Sequence, residues 1–178
     1  MNKIITSHTF CAFLFALGSS ATAQQPAKLR RVGYLAAARG PSPFFEAFKQ
    51  GMRELGYVEG QNLTIDYRAS EDRNQITTMA AELMQLKVEA IVTQGTATRI
   101  AKSAIMSLPV VFGFSGDPIE AGFVESLARP GTNMTGMSFL SLEGGLISYG
   151  PNQSNSLHRL SIFVDKILKG AKPADLPI

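Results

Sequence analysis

The chain reads as an α/β protein built on a doubly wound parallel sheet, and two observations predict it. Short apolar, β-favouring runs alternate with segments of helical period four times in succession. Each connection is long enough to hold a helix, as the right-handed return to a parallel strand requires. We order the strands 2-1-3-4-5. That order puts the topological switch point between the first and third strands, and ligands bind outside the carboxyl ends of strands at such a point.

Taken in order, Val32-Gly33-Tyr34-Leu35-Ala36 is the first strand. Ser42 caps and Pro43 opens the next helix, whose apolar face is Phe44, Phe45, Phe48, Met52 and Leu55, and Gly56 stops it. Leu63-Thr64-Ile65-Asp66-Tyr67 alternates as the second strand. A helix over about 74–86 follows, facing the core through Ile76, Met79, Ala80, Leu83 and Leu86. Ala90-Ile91-Val92-Thr93 is the third strand, and a helix over 96–106 runs through Ala97, Ile100, Ala101 and Ala104. Pro109-Val110-Val111-Phe112 is the fourth strand, residues 117–127 read as a fourth helix, and residues 133–138 as the fifth strand. A Gly-rich stretch from Gly144 to Pro151 then precedes an amphipathic helix with Leu157, Leu160, Val164, Ile167 and Leu168 on one face. Lys169 and Gly170 close it, and residues 171–178 are expected as an extended tail.

The first 23 residues read as a secretory leader: Lys3 is the positive start, residues 10–17 are an unbroken apolar core, and Ala21-Thr22-Ala23 is a small-x-small cleavage site. The apolar core is shorter than the roughly 20 residues that span a bilayer. An exported, periplasmic protein cut after Ala23 is expected. A lipid anchor on Cys11 fits poorly, since His8-Thr9-Phe10 stand where small residues should precede it. Cleavage leaves 155 of the 178 residues and removes the single cysteine and one of the two histidines. No disulfide and no Cys/His metal site is then expected.

A chain of this size is about one domain and buries a core without staples. The leader carries one of the 17 basic residues and none of the 14 acidic ones. The remaining charges are scattered, and no basic stripe alternates with stacking rings, which argues against nucleic acid as a partner.

Three loops border the switch-point crevice. The loop from Ala37 to Ser42 lacks the G-x-G-x-x-G phosphate cradle, so no dinucleotide cofactor is expected. Arg39 in it is a candidate partner for an anionic ligand, although an exposed loop arginine is more often just solvated. Gln94-Gly95-Thr96-Ala97-Thr98 turns from the third strand into a helix whose first N–H groups and positive dipole end suit a carboxylate; alternatively, Thr96 only caps that helix. Residues 113–120 read as a helix start, with Asp117 as cap, Pro118 at the first position and Glu120 completing a capping box. There Ser115 and Gly116 offer a hydroxyl and a backbone N–H. An acyl-transfer enzyme is disfavoured. Gly113-x-Ser115 lacks the glycine two residues after the serine that a nucleophile elbow needs, Asp117 standing there instead. His158, on the last helix, is remote from any nucleophile loop and is expected at the surface.

Three blocks carry a likeness: residues 45–62 with Met52-Arg53-Glu54-Leu55-Gly56-Tyr57-Val58-Glu59-Gly60, residues 116–124 with Gly116-Asp117-Pro118, and residues 127–136 with Leu127-Ala128-Arg129-Pro130-Gly131. In this order they resemble the ABC-transporter substrate-binding protein family with the type I periplasmic binding protein fold, and the late region 145–177 is similar to that family too. The resemblance implies a Rossmann-like lobe that captures a small organic anion or amino-acid-like solute, without catalysis, and delivers it to an inner-membrane ABC permease. It also implies ligand contacts at Ala37, Thr96, Gly116, Asp117 and Tyr149, beside Arg39, Ala97 and Ser115 of the same loops. Family members have two lobes, and here the blocks flanking the second nearly touch, so an internal deletion at about residues 142–145 is expected. The expected organisation is a leader (1–23), a tether (24–30), an α/β lobe (31–138), a truncated crossover (139–153), a returning helix (154–170) and a tail (171–178). One open lobe should bind feebly. Alternatively, it is an interaction module that docks on a permease or self-associates through the face the missing lobe would cover.

Overall fold

A computed structural model describes residues 28–139 and 153–178. Five strands, β1 (Arg30–Ala36), β2 (Leu63–Ala69), β3 (Ala90–Gln94), β4 (Val110–Ser115) and β5 (Met134–Phe139), form one sheet in the order β2-β1-β3-β4-β5. Every pairing is parallel, with Ala36 opposite both Ala69 and Gln94, and Gln94 opposite Gly113. The helices are α1 (Pro43–Glu54), α2 (Arg73–Gln85), α3 (Ala97–Ala104) and α4 (Gln153–Leu168).

Side chains of successive strand residues point to opposite faces, so each strand feeds two cores. Val32, Tyr34 and Ala36 of β1 join Ala90 and Val92 of β3 and Val111 of β4 in one core, closed by Phe45, Phe48 and Met52 of α1 and by Leu160, Val164 and Ile167 of α4. Leu35, Ile91, Val110 and Phe112 face the other way onto Ile76, Ala80 and Leu83 of α2 and Ile100 and Ala101 of α3. Helices on both faces of a parallel sheet make three layers, which is why its strands are apolar on both sides.

Local signals set the helix ends. The Ser42 hydroxyl accepts from the Phe45 N–H, Pro43 stands at the first helical position, and Gly56 leaves α1 at φ +86°. Asp72 caps α2 by accepting from the N–H groups of Asn74 and Gln75 at 2.7 and 3.0 Å. Helix α3 is shorter than its sequence pattern suggests: it ends at Ala104, and buried Ile105 leaves the helical conformation at φ −117°, ψ 84°.

Two expectations are corrected. Residues 117–127 do not form a helix but one turn followed by irregular chain, because start and stop signals stand only five residues apart. The Gly122 N–H bonds the Ile119 carbonyl and the Phe123 N–H the Pro118 carbonyl, both at 2.8 Å, with Gly122 at φ +68°; this is the Schellman pattern that ends a helix. Residues 171–178 are not a free tail either. Pro173–Asp175 form a 3₁₀ turn, Leu176 is buried, the Thr135 hydroxyl donates to the Leu176 carbonyl at 2.8 Å, and the Ile178 N–H bonds the Leu127 carbonyl at 2.9 Å.

Helices α1 and α4 lie against each other. Tyr57, just past α1, donates to Asp165 Oδ1 at 3.0 Å, and His158 Nε2 meets Glu54 Oε2 at 2.8 Å. Burial first, and then this bond to Asp165, push the Tyr57 phenol up to about 12. The close approach requires Gly51, where a Cβ would lie 2.6 Å from the backbone oxygen of His158 and would also strike the Ser161 hydroxyl. Overpacking costs about 1–3 kcal/mol, against roughly 1 kcal/mol by which alanine favours a helix interior. Because the obstacle is backbone, the cost is placed at the upper end of its range and Gly51→Ala is expected to lower stability by up to about 2 kcal/mol net in denaturant unfolding; a raised midpoint would show that α1 and α4 are not in intimate contact.

Candidate functional site

Parallel strands finish at one edge, so the loops after β1, β3 and β4 gather there. Ala37 and Arg39 follow β1, Thr96 and Ala97 follow β3, and Ser115 ends β4 with Gly116 and Asp117 just after it. The Gly95 N–H bonds the Gly113 carbonyl at 3.2 Å, joining the second and third loops directly. Tyr149, and the junction expected at residues 142–145, lie outside the described residues.

The first loop rests on an aromatic floor. Tyr34 and Phe45 meet edge-on with centroids 4.9 Å apart, Tyr67 stands 4.5 Å from Phe45, and the Tyr67 hydroxyl donates to the Gly40 carbonyl at 2.7 Å. The Tyr34 hydroxyl, fully enclosed, donates to Gln94 Oε1 at 3.2 Å across the switch point. Burial, with the neighbouring Tyr67 adding to it, raises the Tyr34 pKa, so the phenol is a neutral donor. Ala37 is half-buried against the α2/α3 core. Arg39 already has a carboxylate of the chain's own, Glu71 Oε2 at 2.8 Å; with side chains 88% and 58% exposed, this pair contributes little stability.

The second loop is fixed from beneath. Gly95 takes φ +61°, which permits the turn, and the buried hydroxyls of Thr93 and Thr98 meet at 3.1 Å, tying the end of β3 to the first turn of α3. Thr96 stands at the N-cap position of α3 but its side chain makes no cap hydrogen bond, so its hydroxyl is exposed to solvent. Ala97 is buried, with its methyl in the α2/α3 core.

In the third loop Ser115 is exposed, and Gly116 at φ +139° accepts from the Ser138 hydroxyl. Asp117 Oδ1 accepts from the N–H groups of Ile119 at 2.7 Å and Glu120 at 3.3 Å, so its carboxylate closes the turn. Among the described residues the β4 loop supplies a turn at Asp117 and not a second helix N-terminus beside that of α3.

Two small cavities line this edge. One, of about 160 Å³, is bounded by Glu71, Arg73, Ile76, Thr96, Arg99 and Ile100. The other, of about 250 Å³, is bounded by Arg99, Phe114, Ser115, Gly116, Asp117 and Glu120. Each is below the roughly 300 Å³ of a usual small-molecule site. A larger groove of about 430 Å³ lies on the other side of the Asp117 turn, over Met137 of β5, Phe163 of α4 and Ile178. We favour the pair of small cavities, because they join loops at the switch point whereas the groove lies beside the edge strand. Arg99 borders both small cavities and was missed by sequence reasoning. Its signal was the spacing of three from Thr96, which puts both on one face of the first helical turn. Among the described residues no cluster of His, Cys, Asp or Glu suits a metal, and no helix is long and apolar enough to cross a membrane.

Comparison with known proteins agrees with this architecture. A family model described as ABC transporter substrate binding protein matches residues 42–142. A tyrosine-binding protein of Clostridioides difficile strain R20291 is 31% identical over 101 residues, and the match covers 55% of this chain but 29% of that protein. The ligand-free, open structure of a substrate-binding protein with adhesive properties from Clostridium difficile superimposes with a TM-score of 0.60 at 26% identity, over 66% of this chain and 42% of that one. A Streptococcus pneumoniae ABC domain, solved in complex with L-Trp, gives a TM-score of 0.74 over 85% of this chain and 88% of that one; at 20% identity this likeness concerns the fold alone.

The third loop yields a direct test. Asp117→Ala removes both turn hydrogen bonds and is expected to cost about 0.5–2 kcal/mol in equilibrium unfolding, whereas Asp117→Asn keeps the accepting oxygen and should cost less. Equal losses for the two variants would mean that the charge, not the accepted bonds, holds the turn.

Proposed function

This chain belongs to the ABC transporter substrate-binding protein family, and we propose that it binds a small amino-acid-like solute at the carboxyl edge of its sheet for delivery to an inner-membrane permease. The observation that carries this reading is the convergence of three loops at the switch point, where Thr96, Ser115, Gly116 and Asp117 border two cavities that share Arg99. The amino-acid character of the solute rests on the tyrosine named for its curated relative. Export after cleavage at Ala23 and a periplasmic location complete the proposal, as binding without catalysis does.

The chain spans 29% of the curated relative's length and 42% of the open substrate-binding structure. We take it as one lobe with an internal deletion at residues 142–145, organised as leader (1–23), tether (24–30), lobe (31–138), crossover (139–153) and helix (154–170), with residues 171–178 packed back on the lobe. In support, all the described strands belong to one sheet. Magnitudes then set the affinity. Micromolar capture needs about −8 kcal/mol. One helix terminus contributes about 0.3–1 kcal/mol, up to about 2 when partly buried, and a few hydrogen bonds contribute about 1 kcal/mol each. The sum lies near −4 kcal/mol, which is about millimolar.

Calorimetric titration of the protein recovered from the periplasm, beginning at Gln24, with L-tyrosine, L-tryptophan and a panel of other amino acids tests this reading. A dissociation constant of about 1 mM for an aromatic amino acid is expected. Micromolar binding would defeat the single-lobe argument, and no binding by any amino acid would defeat the ligand assignment.

A further inference from the structure

We propose that Arg99 grips the carboxylate of the bound solute; this rests on the solute-binding reading above and names the group that confers its anion preference. The Arg99 guanidinium lies 5.3 Å from the centroid of the Phe114 ring and 6.0 Å from that of Phe123. Those two rings meet edge-on at 4.8 Å, and both are buried, so the shelf beneath the cation is rigid. Cation–π attraction holds the guanidinium over these rings without using its N–H donors. Its N–H edge then stays available for a planar, two-pronged carboxylate.

Three further observations distinguish this arginine from an ordinary solvated one. It borders both cavities of the carboxyl edge, so an anion held there lies within reach of Thr96 on one side and of Ser115 and the backbone of Gly116 on the other. Among the described residues it makes no ion pair, although Asp117 and Glu120 border one of the same cavities, whereas Arg39 is paired with Glu71. It also stands in the first turn of α3, where a cation opposes the helix dipole and a carboxylate would be favoured. A cation placed against its own helix, on a built aromatic shelf and with no acidic partner among the described residues, is a position matched to an incoming anion. Breaks in local rules of this kind gather at functional sites.

The test pairs a carboxylate ligand with its decarboxylated analogue. L-tryptophan and tryptamine are titrated calorimetrically into the mature wild-type protein, Arg99→Gln and Arg99→Lys. Loss of a charge-assisted hydrogen-bonded pair weakens binding about 10- to 100-fold. Arg99→Gln should weaken L-tryptophan by that factor and leave tryptamine unchanged. Arg99→Lys, which keeps the charge but loses the fork, should fall between and decides the matter if the glutamine variant does not fold. L-tryptophan binding that is unaltered in both variants would overturn the role of Arg99 and leave the solute-binding reading standing. An equal loss for tryptophan and tryptamine would also overturn it, by showing that Arg99 only supports the wall of the site. Failure of the wild-type protein to bind either compound would defeat the solute-binding reading itself, and this inference with it.

Discussion

A parallel strand can be rejoined to its sheet only by a crossover, and this single constraint fixes where the protein can act. With β3 paired between β1 and β4, every crossover helix begins at the same edge, and chain leaving three strands must meet there. The apolar faces of β1, β3 and β4 are committed to the two cores, and the loops at their ends are not. Chemistry is therefore left to residues that the cores do not consume.

The loops are nevertheless held firmly. The aromatic group of Tyr34, Phe45 and Tyr67 supports the first, the paired hydroxyls of Thr93 and Thr98 anchor the second, and the Asp117 carboxylate closes the third on its own backbone. This matters energetically, because a site assembled from pre-ordered backbone does not lose loop entropy when a ligand arrives. What it offers is modest: one helix terminus, a few hydroxyls and amides, and a cation on an aromatic shelf. Such a set of groups is suited to orienting a small anion.

The layer structure was legible in the sequence, because strand runs of apolar residues and helix faces with a 3.6-residue period recur with clear punctuation. Ser42-Pro43 and Gly56 mark α1 at both ends, and the crossover rule limits the strand order once the alternation is recognised. The 117–127 segment misled because its start signal is complete while its stop, Gly122, was read as a helix residue. Residues 171–178 looked like a tail because their ordering depends on long-range bonds, from Thr135 to Leu176 and from Ile178 to Leu127, that leave no local pattern. The loops nominated as a site do share one edge, a consequence of topology. The state of each side chain was not legible: Arg39 pairs with Glu71, Thr96 does not cap, Ala97 faces inward, and Arg99 owes its setting to rings of two segments distant in sequence.

The location of the ligand is the claim on which the rest turns, and backbone amide shifts measured by NMR during titration with L-tryptophan test it residue by residue. The convergence of the three loops predicts shifts centred on the amides of Thr96, Ala97, Arg99 and Gly116. Shifts confined to Met137, Phe163 and Ile178 around the groove beside β5 would contradict it and move the binding site to the other side of the Asp117 turn.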